Sequence, residues 1–164
     1  MPEISREEMI KFFITHSIKV TNDVLTTFCM LQAETLKPIV RPKAQKMTGI
    51  TAIIGLISPE IIGTIAITFE KECYLKMVSN MFGETYTKIS ADIIDGSSEV
   101  LNQVFGHLKY QCNSKGIFFS MTIPSIIRGD EYQVIHKGSK DPFCIPFKTN
   151  FGGVLLEIVA DFNL

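Results

Sequence analysis

Residues Met47–Phe69 read MTGITAIIGLISPEIIGTIAITF, and the way this run divides decides the fold. It is apolar enough to raise the question of a membrane span, which needs about 20 consecutive apolar residues. Ser58-Pro59-Glu60 interrupts it in the middle, so a turn explains it better than a span. Met47–Ile57 and Ile61–Phe69 then become two strands, rich in Ile and Thr, joined as an antiparallel hairpin. In the second strand Ile61, Gly63, Ile65, Ile67 and Phe69 share one face, and Thr64 and Thr68 lie on the other. Gly55 and Gly63 sit inside strands, where glycine marks a bulge or a close approach by something packed above.

Upstream, Ser5-Arg-Glu-Glu8 is a capping-box pattern that predicts a helix to about Met30. Ile10, Phe13, Ser17, Val20, Val24 and Phe28 are its expected buried stripe, and Asn22-Asp23 weakens its second half. Glu34–Arg41 reads as a first strand, with Pro38 and Pro42 marking an edge. Downstream, Glu70–Phe82 reads as a helix with Tyr74, Leu75, Val78, Met81 and Phe82 inward and Gly83 at its C′ position.

The next helix is expected from Ala91 to about Lys115, capped by Ser90 and ended by Gly116. Ala91, Ile94, Ser98, Leu101, Phe105, Leu108 and Cys112 step by three and four along its apolar stripe. Ile117–Arg128 is then a strand, with Phe119, Met121, Ile123 and Ile127 on one face and Ser120, Thr122 and Pro124 on the other. A short strand at Tyr132–His136, another at Phe143–Thr149 and a turn at Asn150–Gly153 lead to the last. There Val154, Leu156, Ile158, Ala160 and Phe162 alternate inward. The expected fold class is α+β: a mainly antiparallel sheet of about six strands with long helices packed on it, in a single domain spanning residues 1–164.

The composition sets aside several functions. A formal net charge of -1 with no Lys/Arg run leaves no electrostatic footprint for nucleic acid. Cys29, Cys73, Cys112 and Cys144 are far apart and form no CxxC or Cys/His spacing, so they read as small reduced core residues with no metal. The N-terminus is polar and charged without an apolar signal region, which points to the cytoplasm. No phosphate-binding glycine loop, HExxH or GxSxG is present, and Ser97-Ser98 has no evident His partner. His16, His107 and His136 are isolated and read as surface or packing residues, while Phe118 and Phe151 are candidates for an association surface.

On the Ala91–Lys115 helix, Asp95, Glu99 and Asn102 step by four and three and so share a face. Two readings of that face stand: a solvated polar surface, or an acid and an amide presented together to a partner. Gly96 costs the helix roughly 1 kcal/mol relative to Ala. It also removes bulk beside Asp95 and Glu99, where another surface could come close.

The pattern Asp95-xxx-Glu99-xx-Asn102, followed by Pro124 on the next strand, resembles the signature of the CheC/CheX/FliY phosphatases of bacterial chemotaxis, which dephosphorylate a CheY-type response regulator. The resemblance extends to the glycine-marked pair Gly49–Leu56 and Gly63–Phe69, to Met81-Phe-Gly-Glu84, and to the pair Cys144–Thr149 and Gly153–Ile158. CheC and FliY carry a second motif on the first helix. Here that helix offers Asn22 but Lys19, so the likeness is nearest to the CheX branch. Asn102 and Pro124 are 21 residues apart, not counting either end, about one fewer than in the family pattern.

The resemblance implies a CheC-like fold, a homodimer, and a phosphorylated CheY-type receiver as partner. It implies that Asn102 inserts into the receiver site and orients the attacking water, while Glu99 pairs with the receiver's lysine. Asp95 would contact the partner or support the helix, and Pro124 would shape the strand beneath. The chain would carry no cofactor of its own, Mg²⁺ being supplied by the receiver. The competing expectation is a noncatalytic receiver-binding or motor-associated adaptor on the same fold, as the related FliM middle domain is without the motif.

Overall fold

The structure, a computed structural model, describes residues 4–41, 46–136 and 140–163. Its first helix, α1 (Arg6–Asp23), opens with the expected capping box. Glu8 N donates to Ser5 Oγ at 3.2 Å, and Ser5 N donates to Glu8 Oε2 at 2.9 Å. Two otherwise orphaned donors are satisfied together. The α-helix ends at Asp23, short of the expected Met30, and Val24–Phe28 continues as a π-helical turn in which Cys29 N reaches Val24 O at 3.0 Å. The change falls at the weak Asn22-Asp23 pair, where Thr27 Oγ1 donates to Asp23 O at 2.6 Å and competes for a backbone acceptor. The buried stripe is Met9, Phe13, Ser17, Val20, Thr21, Val24 and Leu25, with Ile10 and Phe28 half-buried.

Among the described residues, seven strands form one antiparallel sheet: β1 (Glu34–Thr35), β2 (Ile39–Val40), β3 (Lys46–Ile57), β4 (Ile61–Phe69), β5 (Ser125–Gln133), β6 (Phe143–Thr149) and β7 (Gly152–Phe162). Their order is β1-β6-β7-β4-β3-β5, and β2 also pairs with β6. The expected strand Glu34–Arg41 is thus two short pieces on either side of Pro38, which lacks a ladder donor. Pro42 lies outside the described residues.

The opening hairpin is formed as expected, β3 pairing with β4 from Ile57↔Ile62 to Ile50↔Phe69. Ser58 closes the turn, its backbone N donating to Ile61 O and its hydroxyl accepting from Ile61 N, both at 2.9 Å. Gly63 explains itself through its neighbour strand: a Cβ there would lie 1.9 Å from Val159 O on β7. Gly49, at φ +98°, marks the register shift between Met47 and Gly49 where β3 meets β5.

The helices α1, α2 (Lys71–Phe82) and α3 (Asp95–Asn113) cover one face of this sheet. Gly83 and Gly116 end the last two at φ +70° and +79°, the left-handed conformation that suits glycine there. Phe119 wedges between α1 and α3, its ring 6.3 Å from Phe13 and 5.7 Å from Phe105. Full burial of a ring such as Phe13 contributes about 1.5–3 kcal/mol. A smaller cluster of Met47, Val134, Cys144 and Leu155 fills the other face, beneath the chain that follows β5.

Two expectations are corrected. Residues 117–124 form no ladder of their own: Ser120 N donates to Ile57 O and Thr122 Oγ1 to Gly55 O, both at 2.8 Å, before β5 starts at Ser125. Alternation does not hold through this segment. Ile117 and Phe119 are buried, whereas Met121 and Ile123 are 92% and 90% exposed. Tyr132 belongs to β5 itself, and Val134 and His136 are buried without forming the short strand expected there.

Candidate functional site

The helix that carries the polar face does not run unbroken from Ala91. Ala91–Ile93 forms a 3-10 turn, and α3 begins at Asp95. Ala91 is exposed, and the Ser90 side chain caps nothing. The N-cap position of α3 falls on Ile94, which has no side-chain acceptor to offer. Tyr74 supplies the cap from α2 instead. Its buried hydroxyl shares its proton between the carbonyls of Ile93 and Ile94, 3.1 Å from the latter, and accepts from Ser97 N at 3.2 Å. Burial pushes the pKa of this phenol up to about 12, so the hydroxyl keeps the proton it donates. Ser97 Oγ closes the same turn by donating to Ile94 O at 3.0 Å.

Gly96 faces inward at this junction. A Cβ there would meet Tyr74 Oη and Val78 Cγ1, each at 3.0 Å. The close approach that the glycine permits is therefore made by α2 of the same chain, and Gly96 supports the packing of α3 without lining its outer face.

Asp95, Glu99 and Asn102 are all exposed on the outward side of α3, while Val100, Leu101, Val104, Phe105 and Leu108 hold its inward side in the core. Asp95 lies in the first turn, where a carboxylate complements the positive end of the helix dipole. Glu99 Oε1 accepts from Gln103 Nε2 at 3.2 Å. Among the described residues, the Asn102 amide has no hydrogen-bond partner. An acid and an uncommitted amide thus project together from a helix fixed at its start by α2. Arg128 on β5 steadies the approach to that start, its guanidinium donating to Ile89 O at 3.0 Å. Pro124 is half-buried at the entrance to β5, off α3.

Periodicity placed Tyr74 inward without giving its hydroxyl a role, and it did not single out Gln103. Gln103 has a local signal, the four-residue step from Glu99. Tyr74 has a weaker one: a tyrosine on an inward face must find a partner for its hydroxyl.

The remaining polar groups lie elsewhere. His16 Nδ1 is 2.8 Å from Phe12 O on α1, and His107 is exposed. His136 is buried on the far face of the sheet, 2.6 Å from Thr64 Oγ1 and 3.8 Å from Glu157 Oε2, so it is not isolated. All four cysteines are free and buried, and burial raises the pKa of each thiol, to about 12 for Cys29, Cys112 and Cys144. Among the described residues no three His, Cys, Asp or Glu side chains gather as a metal set, and no helix is long and apolar enough to cross a membrane.

Residues 50–148 match the family described as chemotaxis phosphatase CheX. No curated protein matches. Among solved structures, the chain is similar to a chemotaxis protein CheX from Desulfovibrio desulfuricans, with 28% identity and a TM-score of 0.82 over 91% of this chain and 99% of that one. It is similar to a chemotactic CheC-like protein from Shewanella oneidensis, with 27% identity and a TM-score of 0.84 over 93% of this chain and 100% of that one. In fold it is also similar to the protein in a CheX–CheY–BeF3–Mg²⁺ complex from Borrelia burgdorferi, with 24% identity and a TM-score of 0.72 over 92% of this chain and 96% of that one.

Proposed function

This chain belongs to the chemotaxis phosphatase CheX family, and from that premise we propose that it hydrolyses the aspartyl-phosphate of a CheY-type receiver. In this reading Asn102 places the attacking water and Glu99 holds the receiver. The observation that carries it is the joint exposure of Glu99 and Asn102 on one face of α3. The partner assignment draws support from the Borrelia burgdorferi complex, because BeF3 is a chemical stand-in for a phosphoryl group.

The chemistry asks little of the chain beyond positioning. Water oxygen attacks phosphorus, the bond from phosphorus to the receiver's aspartyl oxygen breaks, and the carboxylate and inorganic phosphate leave with the water's protons. The Asn102 amide can donate to and accept from that water without bringing negative charge toward the phosphoryl oxygens. Glu99 does carry negative charge, and pairing with a receiver lysine offsets its repulsion from the phosphoryl group. Asp95 sits one turn further back, where it contacts the receiver or steadies the helix start. Mg²⁺ is the receiver's, bound by its own acids.

The working unit is proposed to be a cytoplasmic homodimer. β5 is the last strand in the sheet, and Met121 and Ile123 stand exposed beside it. An antiparallel pairing of two such edges is the two-fold arrangement this surface suits.

The test is release of phosphate from a phosphorylated CheY-type receiver with Mg²⁺. Wild type should accelerate it, and Asn102→Ala should lose about 10²-fold or more of that acceleration. If Asn102→Ala is as active as wild type, the mechanism is wrong. If wild type binds the receiver without accelerating hydrolysis, the chain is a noncatalytic adaptor.

A further inference from the structure

Two glycines on α3 have opposite surroundings. Gly96 is buried, and its missing side chain is explained by Tyr74 and Val78. Gly106 is exposed in the middle of the helix, and a Cβ there would meet nothing within 4 Å. Its backbone is not in the left-handed region, so conformation does not call for glycine either. Glycine in a helix interior still costs about 0.5–1 kcal/mol relative to alanine. Nothing among the described residues accounts for that cost.

The position of Gly106 suggests an external reason. Counting about 100° per residue, it projects between Glu99 and Asn102 around the helix and lies one turn beyond Asn102. A helical side chain leans toward the N-terminus and covers the turn before its own Cα. Any side chain at 106 would lean over the spot between Asn102 and Glu99. We propose that Gly106 is a positioning residue for the phosphatase reaction: its bare backbone leaves open the path by which the receiver surface bearing the aspartyl-phosphate reaches Asn102. This rests on the reading of Glu99 and Asn102 given above. The clearance that the sequence led us to expect at Gly96 is thereby assigned to Gly106.

The proposal makes stability and activity move in opposite directions, which a purely structural role does not. Gly106→Ala and Gly106→Leu should both melt at or above the temperature of wild type, because both are better helix formers and the site is open. Their kcat/KM toward a phosphorylated CheY-type receiver should fall, about tenfold for Ala and about a hundredfold for Leu, with KM rising in step with side-chain bulk. Affinity for the same receiver activated by BeF3 and Mg²⁺ should weaken in the same order. That arm needs no catalysis, so it still tests Gly106 if Asn102→Ala shows the hydrolytic reading to be wrong. Unchanged affinity and kcat/KM in both variants would overturn the proposal. So would a change in oligomeric mass that accompanies the loss, since Gly106 would then belong to a self-contact.

Discussion

Gln103 Nε2 donates to Glu99 Oε1 at 3.2 Å, so the carboxylate proposed to hold the receiver is steadied by its own helix before any partner arrives. A pair four residues apart on an exposed face contributes about 0.2–0.5 kcal/mol, enough to bias a rotamer and too little to hold it against a cation. A receiver lysine can therefore take up Glu99 without first breaking a costly contact.

Glu99→Gln should test that charge directly. It keeps size and hydrogen-bonding capacity but removes the negative charge, so receiver affinity should fall about tenfold at low salt. The gap should narrow as salt is raised, because an exposed charge pair is screened beyond about 10 Å at 0.1 M. Gln103→Ala should change affinity by less than about threefold. Titration of a BeF3-activated receiver at two ionic strengths measures all three chains. A loss for Glu99→Gln that is the same at both would mean that shape, not charge, is what Glu99 supplies.

Met121 and Ile123, 92% and 90% exposed, are the apolar residues most at odds with a solvent-facing position. Together with the free outer edge of β5 they make a surface suited to covering by a second copy. The double variant Met121→Asp, Ile123→Asp should sediment as a monomer where wild type sediments as a dimer. Neither side chain has buried contacts to lose, so circular dichroism should be unchanged. A variant that remains dimeric would move the interface elsewhere.

The physical distance between cause and effect decides what was legible before the structure. The hairpin was readable because what shapes it is local: a Ser58-Pro59-Glu60 turn between two runs rich in Ile and Thr. The shared face of Asp95, Glu99 and Asn102 was readable for the same reason, since helical spacing alone brings them together. The break at Ile94 was not, because the hydroxyl that closes it belongs to Tyr74 on another helix. The two α3 glycines look alike in sequence, and only the presence of Tyr74 and Val78 against one of them tells them apart. Met121 and Ile123 share a face with Phe119 only if alternation runs through residues 117–124, and there the chain leaves the ladder.

His136 and Glu157 belong to the same class of long-range fact, and they give the fold an opposed pair of pH dependences. Both are buried on the far face of the sheet, 3.8 Å apart, too far for a hydrogen bond. Among the described residues, His136 Nε2 and Glu157 Oε1 have no hydrogen-bond partner, although Thr64 meets His136 Nδ1 and the Cys144 thiol lies 3.9 Å from Glu157 Oε2. Burial raises the Glu157 carboxyl above its usual 4.5, partly offset by Arg41, and lowers His136 below its usual 6.5. Around Glu157 the native state binds more protons than the unfolded chain, so stability falls as pH rises toward neutrality. Around His136 the unfolded chain binds more, so stability falls as pH drops below about 6.5. Glu157→Gln removes the first slope and leaves the second. It should be more stable than wild type at pH 7–8, by about 1–2 kcal/mol, with the advantage shrinking as pH falls toward 5. Denaturant unfolding across that range measures it, and parallel stability curves for the two proteins would show that Glu157 keeps an ordinary acidity in the fold.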